Sequence, residues 1–69
     1  MRKNNAFSQY NQNVETLATI HKMMVEKNLK SQLGPLSRIA RDLDIMDPSD
    51  SEFQEETRIK LLRIYYRFS

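Results

Sequence analysis

The stretch LGPLSRIARDLDI, residues 33–45, decides the fold because it places a short apolar repeat between two long ones. Gly34 suits a left-handed residue that closes a turn, and Pro35 suits the first position of a helix. The apolar residues that follow have the i, i+3, i+4, i+7 spacing of one helical face: Leu36, Ile39, Ala40 and Leu43. We therefore expect a short helix at about 35–45, which packing rather than intrinsic propensity must stabilise.

The segment before this stretch predicts a long helix at about 7–29. Its stripe residues recur at spacings of three and four along one side: Phe7, Tyr10, Val14, Leu17, Ala18, His21, Met24, Val25 and Leu29. Asn5 or Ser8 could cap the start of this helix. Residues 1–5 are polar, so we expect a flexible N-terminus there and a single helical domain at 6–69.

The segment after the stretch predicts a second long helix at about 48–68. Asp47 followed by Pro48 is typical of an N-cap and a first helical position. The apolar residues of this helix form its main face: Phe53, Leu61, Leu62, Ile64, Tyr65 and Phe68. Glu56 and Lys60 form an i, i+4 pair on the opposite side. The fold class is therefore all-α, a small three-helix arrangement that oligomerisation could complete.

The length and composition limit how this domain can be stabilised. The chain has 69 residues, and a domain of this size buries only about 60% of its unfolded surface. Cysteine is absent and His21 is the single histidine, which excludes disulfides and thiolate metal sites. Oligomerisation or docking on a larger protein is the compensation that remains.

The sequence also bears on location. No apolar run approaches the roughly 20 residues of a membrane helix, and the N-terminal residues lack the apolar core of a signal peptide. We therefore expect a cytoplasmic protein with no membrane partner.

The charges are patterned along the chain rather than uniformly basic. The net charge is only +2, with acids alone from Asp42 to Glu56 and bases alone from Arg58 to Arg67. The macrodipole of the third helix accounts for part of this pattern, since it favours acids at the start and bases at the end. A patterned surface suits a protein partner, or a second copy of the chain, at least as well as it suits nucleic acid.

A DNA-binding protein is the alternative function. Ile39, Ala40, Leu43 and Ile45 resemble the first helix of a helix-turn-helix motif, with Asp44 where glycine is usual. The segment that should then enter a groove is DPSDSEFQEE, residues 47–56, whose acids would face phosphates. Under this alternative the nucleic-acid contacts would come from basic residues before and within the short helix: Lys27, Lys30, Arg38 and Arg41.

Other site chemistry finds little support. The acidic run from Asp42 departs from the EF-hand pattern, with Asp47 at the glycine position and Phe53 at the final glutamate position. His21 lies within the apolar stripe of the first helix, where a hydrogen-bonded core or interface histidine is the simplest interpretation. No nucleophile–base set or phosphate-binding loop occurs. We therefore expect no catalytic residues, no cofactor and no metal.

Apolar residues outside the predicted core faces indicate how the protein would act. Ile20 and Met23 on the first helix, and Ile59 and Tyr66 on the third, point away from those faces, and the third helix ends in LLRIYYRF. Tyrosine and arginine are enriched at binding hot spots. We therefore predict a non-enzymatic interaction module, a regulator, inhibitor, adaptor or small subunit, that binds a protein partner or a second copy. The predicted interface residues are Ile20, Met23, Ile59, Arg63, Tyr65, Tyr66, Arg67 and Phe68.

Overall fold

Three α-helices make up the fold, as the sequence predicts. The computed structural model describes the backbone of residues 5–69 and the side chains from residue 7 onward. Helix α1 spans Asn5–Glu26, α2 spans Leu33–Ile45 and α3 spans Ser51–Phe68, with one turn of 3-10 helix at Lys30–Gln32 before α2. The described residues contain no strand. Of the predicted flexible segment, residues 1–4 lie outside the described residues, and Asn5 already begins α1, so Ser8 lies inside the helix.

The end of α1 is a Schellman motif centred on Asn28, which has a φ of 59°. The Leu29 N–H donates to the Met24 carbonyl at 2.8 Å, and the Asn28 N–H donates to the Val25 carbonyl at 3.1 Å. Asparagine tolerates this left-handed conformation because its short polar side chain can bond locally. The prediction of a left-handed Gly34 is therefore wrong, since the turn closes earlier and Gly34 lies in the first turn of α2.

The connection between α2 and α3 uses two aspartates in different roles. Oδ1 of Asp47 accepts the Ser49 N–H at 2.9 Å and the Ser49 hydroxyl at 2.8 Å. These bonds, the backbone one foremost, lower the pKa of the Asp47 carboxyl. The N-cap of α3 is instead Asp50, whose side chain accepts the Phe53 N–H at 3.1 Å. The predicted cap at Asp47 is wrong because Pro48 occupies a turn before the helix, so α3 begins later than residue 48.

Helices α1 and α3 are parallel and in constant register. The side chain of Asn13, in the first half of α1, bonds to Gln54 near the start of α3. The Lys27 ammonium, just after α1, bonds to the Phe68 carbonyl at the end of α3. Both pairs are separated by 41 residues in the sequence. Because α2 connects the C-terminal end of α1 to the start of α3, it runs back along α1. The result is an elongated molecule of 42 × 21 × 15 Å.

The hydrophobic core lies towards the C-terminal ends of α1 and α3. Ile20, Met24, Leu36 and Leu61 are all buried, with at most 2% of their surface exposed. Partly buried side chains from all three helices and the connecting turn pack against them: Leu17, Leu29, Leu33, Ile39, Ile64, Tyr65 and Phe68. We call Ile20, Met24 and Leu61 the apolar end of the α1–α3 interface.

The N-terminal part of the same interface is polar. Asn13 Nδ2 donates to the Gln54 side-chain oxygen at 2.9 Å and to the Gln54 carbonyl at 3.0 Å. Asn13, Gln54 and Thr57 are almost completely buried, and hydrogen bonding offsets the cost of burying such groups. We call these three residues the polar end.

The buried side of α1 differs in part from the prediction. Met24 is buried as expected, but Val14, His21 and Val25 of the predicted stripe are exposed, whereas Ile20 is completely buried. The reason is that α1 carries apolar residues around much of its circumference, and the positions of α2 and α3 determine which of them are covered.

The ion pair on α3 also differs from the prediction. Among the described residues the salt bridge joins Arg58 to Glu55, with Nη2 and Oε2 2.6 Å apart, rather than Lys60 to Glu56. Glu55 lies nearer to α1, where Gln9 Nε2 also donates to its Oε1 at 3.2 Å. This second donor helps to hold the Glu55 carboxylate in place.

Candidate protein interface

The outer side of α3 carries a continuous group of apolar and aromatic side chains. We call Ile59, Leu62, Tyr65 and Tyr66 the α3 face. Their spacing brings them to one side of the helix, with Tyr66 71% exposed and Ile59 41% exposed. The rings of Tyr65 and Tyr66 lie edge to face with centroids 5.4 Å apart, a favoured aromatic geometry. The α3 face therefore exposes the Tyr66 ring, and the contact with Tyr65 restricts the orientation of that ring.

A hollow between α1 and α3 adjoins this face. It has a volume of about 280 Å³, and its walls combine polar residues of α1 with apolar residues of α3: Glu15, Thr16, Thr19, Leu62 and Tyr65. The Thr19 hydroxyl donates to the Glu15 carbonyl of its own helix at 3.0 Å. The hollow can therefore receive an apolar side chain on one wall and a hydrogen-bonding group on the other.

The Glu55–Arg58 pair supplies fixed charge at the N-terminal edge of the α3 face. Arg58 Nε donates to Glu55 Oε1 at 3.2 Å, and Arg58 Nη2 donates to Glu55 Oε2 at 2.6 Å. Hydrogen bonding from Arg58 is the largest cause of a lowered pKa at the Glu55 carboxyl, and Gln9 contributes to the same effect. The same pair raises the pKa of the Arg58 guanidinium. Both side chains are more than two-fifths exposed, so the pair forms a polar rim.

The structure brings together part of the predicted interface. Ile59, Tyr65 and Tyr66 share the α3 face, and Met23 is half-buried on α1. Ile20 contradicts the prediction because its side chain has no exposed surface. Ile20 lies in the hydrophobic core together with Leu61 of α3.

The other predicted interface residues lie at the end of α3 and outside the α3 face. Phe68 is half-buried and packs against the core, so little of its ring is open to a partner. Arg63 and Arg67 are exposed. The Arg67 guanidinium carbon lies 6.0 Å from the centroid of the Phe68 ring, at the limit of a cation–π contact.

The four basic residues predicted to contact nucleic acid differ in their surroundings. The Lys27 ammonium donates to the Phe68 carbonyl at 2.6 Å, where a cation neutralises the C-terminal end of α3. Lys30, Arg38 and Arg41 are exposed. Their side chains form no ion pair within the described part of the chain.

His21 is exposed, so of the two predicted positions, core or interface, the structure contradicts the core one. His21 borders a groove between α1 and α2, because α2 packs against the neighbouring side of α1. Within residues 5–69, no group of three or more histidines and carboxylates is placed to hold a metal ion. None of the helices described has both the length and the apolar character needed to cross a bilayer.

The sequence prediction missed the residues that shape the hollow. The sequence places Leu62 on the core face, but it is half-buried and lines the hollow with Thr16 and Thr19 of α1. Its spacing from Ile59 and Tyr66 is a signal that could have revealed it. The threonines gave no such signal, because their role depends on the parallel packing of α1 and α3.

Comparison with known proteins finds no relative of this chain. No protein-family model, curated protein or solved structure matches the chain. The functional argument therefore depends on the residues described above.

Proposed function

We propose that this protein is a non-enzymatic interaction module that binds another protein through the α3 face. The observation that carries the proposal is the exposure of Tyr66 beside Ile59, at 71% and 41% respectively. Scattered apolar residues are normal on a protein surface, but a contiguous aromatic and aliphatic group marks an interaction site. The proposed role is that of a cytoplasmic regulator, inhibitor, adaptor or small subunit, a location that a sequence free of cysteine permits.

The composition of the α3 face supports a protein partner in particular. Tyrosine is enriched at the centre of interfaces because it buries a large area with few rotatable bonds. The hollow beside Tyr65 provides a recess for a partner side chain, and the Glu55–Arg58 pair provides the polar rim that interfaces commonly have. Tyr66 is the residue whose loss should weaken binding most.

Site-directed photo-crosslinking tests the proposal in the producing cells. A photoreactive phenylalanine derivative in place of Tyr66 should give a discrete cross-linked product with one protein. The matched control replaces Lys60, an exposed residue of the same helix about 120° away from Tyr66. Discrete products at position 66 alone support the proposal, and equal products at both positions contradict it.

The cross-linked partner, once purified, allows an affinity measurement. Tyr66→Ala should weaken binding by about 2 kcal/mol, or roughly 30-fold, with little dependence on salt. The Lys60→Ala control should bind like the wild type. Equal affinities for Tyr66→Ala and the wild type would show that this face is not the binding site.

Nucleic-acid binding remains the alternative, supported by the exposure of Lys30, Arg38 and Arg41. Two observations weigh against it: Lys27 is engaged with α3, and the exposed Asp50 and Glu52 occupy the start of α3. Nucleic-acid binding should weaken steeply with salt and should depend on Arg38 and Arg41. Such a result with Tyr66→Ala unaffected would replace the proposed function by this one.

A further inference from the structure

A second apolar surface lies on α1, away from the α3 face. We call Phe7, Val14, Ala18, His21 and Val25 the α1 stripe. All five side chains are exposed, with Phe7 at 50%, Val14 at 40% and Val25 at 56%. They are separated by seven, four, three and four residues. This is the spacing by which helices that pair along their length bring one continuous line of side chains, the seam, into contact. Helices α2 and α3 pack against other sides of α1 and leave all five of these side chains exposed, so this seam has no partner within the described chain.

A groove between α1 and α2 adjoins the α1 stripe. It has a volume of about 100 Å³ and is lined by both helices: Leu17, Ala18 and His21 from α1, and Leu33, Leu36, Ser37 and Ala40 from α2. Ala18, Ser37 and Ala40 are small, which leaves room for another helix to approach closely. The stripe and the groove together form one open apolar surface.

We propose that a second copy of this chain occupies this surface, with the two α1 helices antiparallel about a two-fold axis. Four residues of the α1 stripe, Val14, Ala18, His21 and Val25, are spaced symmetrically about a midpoint between Thr19 and Ile20, and Phe7 lies outside this symmetric set. Antiparallel pairing about this midpoint places Val14 opposite Val25 of the second copy. It also places the small Ala18 opposite the larger His21 of the second copy, so the two surfaces interlock. Such self-complementarity is what a two-fold interface requires.

Charge complementarity selects this pairing. Glu15 and Lys22 are exposed, flank the α1 stripe on the same side, and lie on either side of nearly the same midpoint. Antiparallel pairing brings each Glu15 near Lys22 of the second copy, and the symmetry makes this contact twice. Parallel pairing would instead place Glu15 opposite Glu15 and Lys22 opposite Lys22, which is repulsive. Neither residue is in an ion pair in the described part of the molecule.

The same two-fold axis would also cover the groove between α1 and α2. An axis perpendicular to the plane of the paired α1 helices keeps both α2 helices on the same side of that plane. The α1 and α2 helices of two copies then form a four-helix arrangement that closes over Leu17, Leu36 and Ala40. Helix α3 packs on another side of α1, so the α3 face stays open and this inference does not rest on the proposed function. Glu15 belongs to both surfaces, because it also lines the hollow.

Charge reversal on the purified protein tests the inference. Sedimentation velocity over a concentration series should show a dimer for the wild type in the micromolar range. Glu15→Lys and Lys22→Glu should each weaken the dimer by roughly 10-fold, and the double exchange should restore it, because opposite charges face each other again. Glu52→Lys is the control for charge alone: it changes an exposed residue of α3 and should leave the dimer intact.

A second variant tests the apolar seam. Val25→Asp should give a folded monomer, because Val25 is more than half exposed and its loss opens no core cavity; circular dichroism verifies the fold. A wild type that stays monomeric throughout the series would overturn the inference. So would a double exchange that fails to restore the dimer, or a dimer that Val25→Asp leaves intact.

Discussion

The two ends of the α1–α3 interface perform different tasks. At the apolar end, Ile20 and Leu61 have no exposed surface and supply the hydrophobic contribution. At the polar end, the Asn13 amide bonds to both oxygens of Gln54. A hydrogen-bonded pair adds little net stability, but it has only one register in which its bonds form. We infer that the apolar end stabilises the pairing and that the polar end specifies its alignment.

The largest expected effect is at the apolar end. Leu61→Ala should lower the free energy of unfolding by about 2–5 kcal/mol, since it removes a fully buried side chain and leaves a cavity. Urea unfolding followed by circular dichroism measures this loss. Ile59→Ala on the exposed side of the same helix should change stability by only about 0.5 kcal/mol. Similar losses for the two variants would show that Leu61 is not at the centre of the core.

A smaller loss is expected at the polar end. Gln54→Ala should cost about 1–3 kcal/mol because it leaves the buried Asn13 amide without its side-chain acceptor. Replacing both partners, with Asn13→Leu and Gln54→Leu together, should recover most of that stability.

The same double variant tests whether the polar end specifies the register. If it does, the double variant should show broadened amide resonances in NMR, because α3 can then slide along α1. Sharp, wild-type-like spectra in the stable double variant would contradict that role.

The turn next to the apolar end should give an effect of about 1–2 kcal/mol. Asn28→Ala places a residue with a Cβ but no local hydrogen bond in the left-handed conformation, which costs about 1–2 kcal/mol. Asn28→Gly is the matched variant and should be at least as stable as the wild type, since glycine adopts this conformation freely. Thermal unfolding of both variants measures the difference, and equal losses for alanine and glycine would argue against a left-handed Asn28.

The smallest expected effect is a pH dependence beside the polar end. The pKa of Glu55 is lowered chiefly by hydrogen bonding from Arg58, so the ionised carboxylate favours folding above its unfolded pKa. That contribution is lost as the pH falls through the lowered folded pKa. Arg58→Gln should raise the pKa of Glu55 towards its ordinary value in an NMR titration, and Lys60→Gln should leave it unchanged. An unaltered Glu55 titration in Arg58→Gln would mean that the pair does not persist in solution.

The sequence predicts the three helices and their approximate limits, because the apolar periodicity is long and a proline lies near the start of each of the two later helices. It does not predict which side of α1 is buried. Ile20 and Val25 are both apolar β-branched residues, and only the packing of α2 and α3 determines which of them is buried. The burial of Asn13 and Gln54 is also beyond sequence patterns, since polar residues are mostly exposed.

The exact helix limits are likewise beyond the sequence, because each boundary offers two residues that suit the same role. Asp47 and Asp50 are both acceptable caps, and Pro48 suits a turn as well as a first helical position. Asn28 and Gly34 both tolerate a left-handed conformation. In the candidate site, Ile59 and Tyr66 are exposed where the sequence predicts apolar residues off the core, whereas the hollow depends on the parallel packing of two distant segments.

The constant offset between α1 and α3 also bears on the order of folding. Asn13 and Gln54 are 41 residues apart in the sequence, whereas α1 and α2 are joined by a short turn and run antiparallel. Short loops close with less loss of entropy, and contacts between distant segments form more slowly. We expect the α1–α2 hairpin to form first and α3 to dock last. Native-state hydrogen exchange should then show α3 amides opening more readily than those of α1, so the helix that carries the α3 face would be the first to detach from the fold.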